Sequence, residues 1–326
     1  MRDMRGVRDV RGMRGVPGAS RRTLLTGLVA AAAGAPVLSG LSAGTAYAGS
    51  ANDKYPSNTA MYQEFLASPE ETDGEGYDFA RRYKRHEMTD LSKSEAHPYG
   101  LTTVLAIHGG GIEPGTSELC LGIAGYDPHP KPTAPDGSPV PFPRIMFPGE
   151  PVYDFWMFEG LRTKGTNPDG TPKPPNSELH VTSIHCDDPV AESMVAGSRN
   201  TVSLHGCTWD DAYPEATRPD LADRRGVIVG GRSEILRGAL DRHLRGAGFQ
   251  IFPGTTAVNG NDERNICNRT LHGAGGAQLE LTRELRDSFF GDASSATRRG
   301  ETRNADFSRF VKACRAAIAE CESAQR

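Results

Sequence analysis

Two apolar segments of this chain end in the same way. "TTVLAIHGG" (102–110) and "NTVSLHG" (200–206) each run from β-branched and apolar residues into a histidine followed by glycine. Short β-branched runs bounded by turn residues read as buried strands. In open α/β sheets, ligands bind beyond the carboxyl ends of the strands. The two matching ends therefore ask for a sheet that delivers His108 and His205 to one site.

The remaining pattern alternates strands with helices, which points to an α/β fold in a single domain. Further strands are expected in "LHVTSIH" (179–185), "GVIVGG" (226–231), "FQIF" (249–252) and "AQLEL" (277–281), with an alternating aromatic run in "VYDFWMFEGL" (152–161). "SEILRGALDRHLRGAG" (233–248) carries a helical apolar stripe, with Ser233 as N-cap and closing glycines. "SPEETDGEGYDFARRYKR" (68–85) reads as a turn and a helix, and a last helix is expected over 305–322. Residues 126–149 and 164–177 are rich in Pro, Gly and Asp and read as surface insertions.

The front reads as a targeting segment. Arg21 and Arg22 precede an Ala/Gly-rich apolar run that ends in Ala46-Tyr47-Ala48, a small-x-small cleavage pattern. Residues 1–48 thus form an expected twin-arginine-type signal peptide, residues 49–326 the domain, and the product a secreted protein without a membrane anchor. Cleavage removes seven Arg and two Asp, which changes the net charge from −4 to −9. A body this acidic has no electrostatic footprint for nucleic acid. Its six cysteines, all beyond residue 119, suggest disulfides in an exported chain, with buried free thiols as the alternative. Cys314 and Cys321 lie about 10 Å apart along one helix and cannot bridge each other.

The chemistry-bearing residues gather around these strand ends. His108 and Glu113 flank a glycine turn, and a histidine–carboxylate pair with one more ligand suits catalytic zinc. His205 is the first candidate for that ligand; His272, in "TLHGAGG", is its strongest rival, and His185 is a candidate outer partner. The lysine and Ser/Thr of a P-loop are missing from the glycine turn. In "GAQLELTREL", a strand would put Gln278, Glu280 and Thr282 on one face and the leucines on the other. Glu280 is then a carboxylate whose pKa its surroundings raise, suited to general-base work. A helical start at Glu280 is the alternative. Arginine pairs carboxylates bidentately, so Arg269, with Asn268 beside it, is a candidate substrate-binding group, with Arg199 and Arg232 as rivals.

"AIHGGGIEPGTSEL", "FEGL", "LHVTSIHCDDP", "SLHG" and "NICNR…GAQLELTRELR" occur in this order from about residue 75 to 290. Together they resemble the phage-type poly-γ-glutamate hydrolases. The resemblance implies a zinc carboxypeptidase-like fold: one α/β domain around a mixed, twisted open sheet flanked by helices. It implies one Zn²⁺ held by His108, Glu113 and His205, with Glu280 as general base, acting on γ-glutamyl amide bonds. The expected partner is an anionic γ-glutamyl polymer or peptide, and the expected state a monomer. Zinc chemistry on peptidoglycan stem peptides, a non-catalytic wall-binding protein on the same fold, and a purely structural exported domain are the competing expectations.

Overall fold

The computed structural model describes residues 53–68, 73–86, 99–129, 144–166, 170–213, 215 and 218–325. The expected signal, residues 1–48, lies outside them, as does the middle of the first Pro-rich stretch. All described residues fall in one compact unit, Thr45–Arg326.

Among the described residues seven strands form one sheet: β1 (Phe79–Lys84), β2 (Tyr99–Gly110), β3 (Val152–Gly160), β4 (Asn200–Cys207), β5 (Gly226–Gly230), β6 (Gln250–Phe252) and β7 (Ala277–Thr282). Their spatial order is β1-β3-β2-β4-β7-β5-β6. The central four, β3, β2, β4 and β7, are mutually parallel, whereas β1 and the β5–β6 pair run the other way. Eight helices accompany the sheet among the described residues: α1 (Asn58–Ala67), α2 (Thr116–Ala124), α3 (Pro189–Ala196), α4 (Trp209–Ala212), α5 (Glu234–Gly246), α6 (Arg283–Ser288), α7 (Ala296–Glu301) and α8 (Ala305–Ala324). The fold is thus a mixed-sheet α/β domain, and none of these helices is long and apolar enough to cross a membrane.

The two-residue period of the strands builds two cores. Val104 and Ala106 of β2 and Phe155 and Met157 of β3 face a cluster with α2, α5 and α8. Leu105, Ile107, Trp156 and Phe158 face a second cluster with Phe79, Met61 of α1 and Met194 of α3. Burying each large side chain stabilises the fold by roughly 1.5–3 kcal/mol. Strands β4 and β7 keep the first face apolar with Val202, Leu204, Leu279 and Leu281. Their other face is polar yet buried: Ser203, His205, Gln278 and Glu280. The sheet centre therefore carries a polar island where its neighbours carry core.

Three expectations are corrected. Residues 79–84 form strand β1 instead of helix, because pairing with β3 overrides local helix preference. Residues 179–185 form no strand: residues 180–182 are irregular and link two 3₁₀ turns, Asn176–Leu179 and Ser183–His185. There the Thr182 amide donates to the Asp53 carboxylate instead of to a strand neighbour. The six cysteines are all free and buried, without disulfides. Burial alone pushes the Cys314 thiol up and suppresses its reactivity.

Candidate metal centre

Strict alternation from Val104 and Ala106 would turn His108 into the packed core beside Leu204. A bulge prevents this. Ala106 pairs with Met157 and Gly109 with Glu159, so β2 spends one more residue than β3 over this interval. A bulge re-aims the side chains around it. His108 emerges instead on the face of His205, the two ring centroids 5.0 Å apart. The turn that follows is closed by the Glu113 amide donating to the His108 carbonyl at 2.8 Å. Gly110 sits at φ +64°, and a Cβ there would lie 2.5 Å from the Gly160 carbonyl oxygen, so only glycine fits.

Glu113 joins the two strand ends. Its Oε1 is 3.0 Å from His108 Nδ1, and its Oε2 accepts the Gly206 amide at 2.8 Å. Gly206 leaves room for Arg286, which a Cβ would meet at 2.5 Å. Arg286 donates to the Pro114 carbonyl at 2.7 Å and so fixes the turn from below. Glu280 stands directly opposite His205 in the β4–β7 register. It belongs to strand β7, with the helix starting only at Arg283.

These groups line a pocket of about 250 Å³ together with His180, Thr182, Ser183, Asp211, Asp262, Asn265 and Gln278. No Lys or Arg is among its described lining residues. An amide relay crosses its floor: Asn265 Nδ2 donates to Gln278 Oε1 at 2.7 Å, and Gln278 Nε2 donates to Glu280 Oε1 at 2.7 Å.

Burial sets the electrostatics. It pushes Glu280 up, and the Glu113 and Asp211 carboxylates add to this, so its pKa lies well above the carboxylate range. Burial also pushes His205 down, reinforced by His108, to about 3. For His108, burial pulls downward but the Glu113 carboxylate outweighs it and the pKa rises. Burial opposes ionisation of Glu113, yet His108 prevails and holds its pKa at about 2.

The donor set fits a metal ion. His108 Nε2 lies 2.9 Å from the Val181 carbonyl, which only accepts, so Nε2 carries the proton and Nδ1 presents its lone pair in the neutral ring. That lone pair faces a carboxylate oxygen, another acceptor, which is the arrangement a shared cation satisfies. His205 Nε2 is hydrogen-bonded to Ser203 Oγ at 3.0 Å, leaving its other nitrogen available. Ligand atoms of His108, Glu113 and His205 all lie within 4.8 Å of one another. Two imidazoles and one carboxylate form a set that suits zinc, with a position left open.

The other sequence candidates lie elsewhere. Arg269 is engaged by the Arg264, Cys186 and Ile184 carbonyls and by Glu192. Asn268 donates to the carbonyls of Gly260 and Asp262 and accepts from Arg232 N and Gly276 N. Both hold loops together, and neither lines the pocket. Arg199 donates to the Gln325 carbonyl and fastens the chain end. Arg232 pairs with Glu263 on the exposed surface. His272 is exposed on a turn, and His185 does not reach the pocket lining. Sequence reasoning overlooked Asp53, Thr182, Ser183, Asp211 and Asp262, and treated His180 only as the edge of a strand. His180 stacks on His108 with centroids 3.8 Å apart. The block "LHVTSIHCDDP" was the available signal for the 180–183 wall.

Comparison with known proteins gives the family and the fold. A sequence model of the poly-gamma-glutamate hydrolase family matches residues 80–129 and 150–313, more than half of the chain. UPF0714 protein YndL of Bacillus subtilis (strain 168) is 29% identical over 211 residues, 64% of this chain and 64% of the relative. The SPbeta prophage-derived UPF0714 protein YoqZ of the same organism is 28% identical over 210 residues, 64% of this chain and 58% of the relative. The match thus spans less than two thirds of the length of either relative. A solved bacteriophage poly-gamma-glutamate hydrolase superposes with TM-score 0.59 at 24% identity, covering 84% of this chain and all of that one. Zinc-free YndL superposes with TM-score 0.54 at 25% identity, over 80% of this chain and 95% of that one.

Proposed function

The chain belongs to the poly-gamma-glutamate hydrolase family, and on that premise we propose that it is an exported, monomeric zinc hydrolase of γ-glutamyl amide bonds that degrades poly-γ-glutamate. The observation that carries this reading is the convergence of His108, Glu113 and His205 within 4.8 Å, with Glu280 opposite His205 on the next strand.

His108, Glu113 and His205 would hold the ion. Bound zinc supplies a Lewis acid for the amide carbonyl and lowers the pKa of its water toward about 7. Glu280 takes the proton of the attacking water and returns it to the leaving nitrogen. Gln278 occupies Oε1 of Glu280, so Oε2 is the oxygen free for this work. The Val181 carbonyl keeps the proton of neutral His108 on Nε2, so Nδ1 is the nitrogen that would serve as ligand. A carboxyl held above its usual range by burial is a stronger base once ionised, and Glu280 would take its ionised form when the site holds a divalent cation.

The polymer bears one carboxylate per residue, and the pocket supplies no described Lys or Arg to meet it. Lys164 and Lys173 line a separate groove of about 380 Å³ that includes Gly111 and Ile112, the residues leading into Glu113. They are the cations we assign to the polymer beyond the scissile bond. The acidic pocket wall, with Asp211 and Asp262, favours a second reading: a short γ-glutamyl stem peptide of peptidoglycan, which carries fewer charges.

The test is to measure metal content of the purified protein and to incubate it with poly-γ-glutamate and, separately, a γ-glutamyl stem peptide, with and without chelator. Chelator-sensitive shortening of the polymer is expected. Cleavage of the peptide alone selects the second reading, and cleavage of neither refutes both. Export is tested by fusing residues 1–48 to a reporter; a reporter retained inside the cell contradicts it.

A further inference from the structure

The residue that organises the histidine wall of this pocket lies outside the stretch matched by the family. Asp53 precedes the matched residues, which begin at 80. Its side chain is 5% exposed, and both oxygens are engaged. Oδ1 accepts from His180 Nδ1 at 2.7 Å; Oδ2 accepts from the Thr182 amide at 2.7 Å and the Thr182 hydroxyl at 2.6 Å. Asp53 therefore grips the residues on both sides of Val181. The Val181 carbonyl accepts His108 Nε2–H, and the His180 ring stacks on the His108 ring. Two of the contacts that orient His108 thus pass through one carboxylate.

The segment needs such a grip. Residues 180–182 lie between two 3₁₀ turns and outside every strand, so no ladder fixes their carbonyls. Without Asp53 the Thr182 amide, in a residue only 8% exposed, loses its acceptor. A buried donor left without a partner drives the segment to rearrange. The Val181 carbonyl would move with it.

We propose that Asp53 is a positioning residue for the metal centre, acting on His108 through Val181 and His180. This rests on the reading of His108 as a metal ligand. Outer partners of metal-bound histidines contribute about 10–100-fold in metal affinity.

The test uses the full chain with Asp53→Asn, which keeps the shape and removes the charge, and with Thr182→Val, which removes one of the three hydrogen bonds. Zinc affinity is measured by competition with a chromogenic chelator, and the visible spectrum is recorded after cobalt substitution. Thermal unfolding of the metal-free proteins reports any general loss of structure. We expect Asp53→Asn to bind zinc about 10–100-fold more weakly with an altered cobalt spectrum, and Thr182→Val to fall between it and the parent. Unchanged affinity and spectrum in Asp53→Asn, or equal loss of melting temperature without any change in metal binding, overturns the proposal. If Asp53→Asn fails to fold, Thr182→Val decides by the same two readouts. A parent that binds no zinc refutes the metal-centre reading itself and this proposal with it. A parent that binds zinc and ignores both substitutions refutes only the proposal.

Discussion

The pocket has two unlike halves. One is carried by strand ends: His108 and the Glu113 turn at the end of β2, His205 on β4, Glu280 on β7. The other is carried by loops: His180, Thr182 and Ser183 on one side, Asp262 and Asn265 on the other. Sheet pairing fixes the first half to within a register step. The second half is fixed by side chains that bond to backbone, such as Asp53 on Thr182 and Asn268 on the Gly260 and Asp262 carbonyls. The sheet positions the candidate ligands and Glu280. Polar clamps position the loop walls around them, and the Asp53 clamp reaches His108 through Val181.

Breaking the strand half should have the largest effect. His205→Ala removes one of three proposed ligands, and the expected result is loss of bound zinc and of all hydrolysis, read by metal analysis and polymer size. Retained metal would hand the ligand role to another group. A pH titration sharpens the same point. His205 is buried neutral, with its pKa lowered from 6.5 to about 3. The unfolded chain binds a proton there below about pH 6.5 and the folded chain does not, so metal-free stability falls as pH drops from about 6.5 toward 3. Melting of the metal-free protein should therefore decline with acid more steeply in the parent than in His205→Gln. Equal slopes would mean that His205 is not held neutral.

The loop half should respond more weakly and in a different quantity. Arg269→Ala removes a guanidinium that ties three carbonyls together, and should cost on the order of 1–3 kcal/mol of stability while KM for short γ-glutamyl peptides stays the same. A raised KM at unchanged melting temperature would restore Arg269 to the substrate. The smallest effect is expected for Lys164→Glu with Lys173→Glu. These exposed changes should raise KM for the polymer, steepen at low salt, and leave short peptides untouched. A polymer KM that ignores both charge reversal and salt contradicts that assignment.

Most of the strand half was legible in the sequence. Apolar β-branched runs ending in His-Gly gave β2 and β4, and alternation in "AQLEL" put Glu280 on the polar face. What alternation misses is the β2 bulge, because the extra residue is defined only by pairing with β3. The loop half was poorly legible for a related reason. "LHVTSIH" has the composition of a strand, yet its amides bond within local turns and, at Thr182, to the carboxylate of Asp53, more than a hundred positions away. Arg269 and Asn268 carry the right side chains for substrate, yet their donors serve carbonyls that sequence cannot place. Cysteine count misled in the same manner, since all six thiols fit into packed interior.

The measurement that tests the central claim most directly is zinc content and turnover of Glu280→Gln beside the parent. Glutamine keeps the shape of the side chain and cannot take a proton. The account predicts zinc bound as in the parent and turnover lower by about 10²–10⁴-fold. Zinc lost together with turnover would make Glu280 a ligand, and turnover retained would remove it from the chemistry.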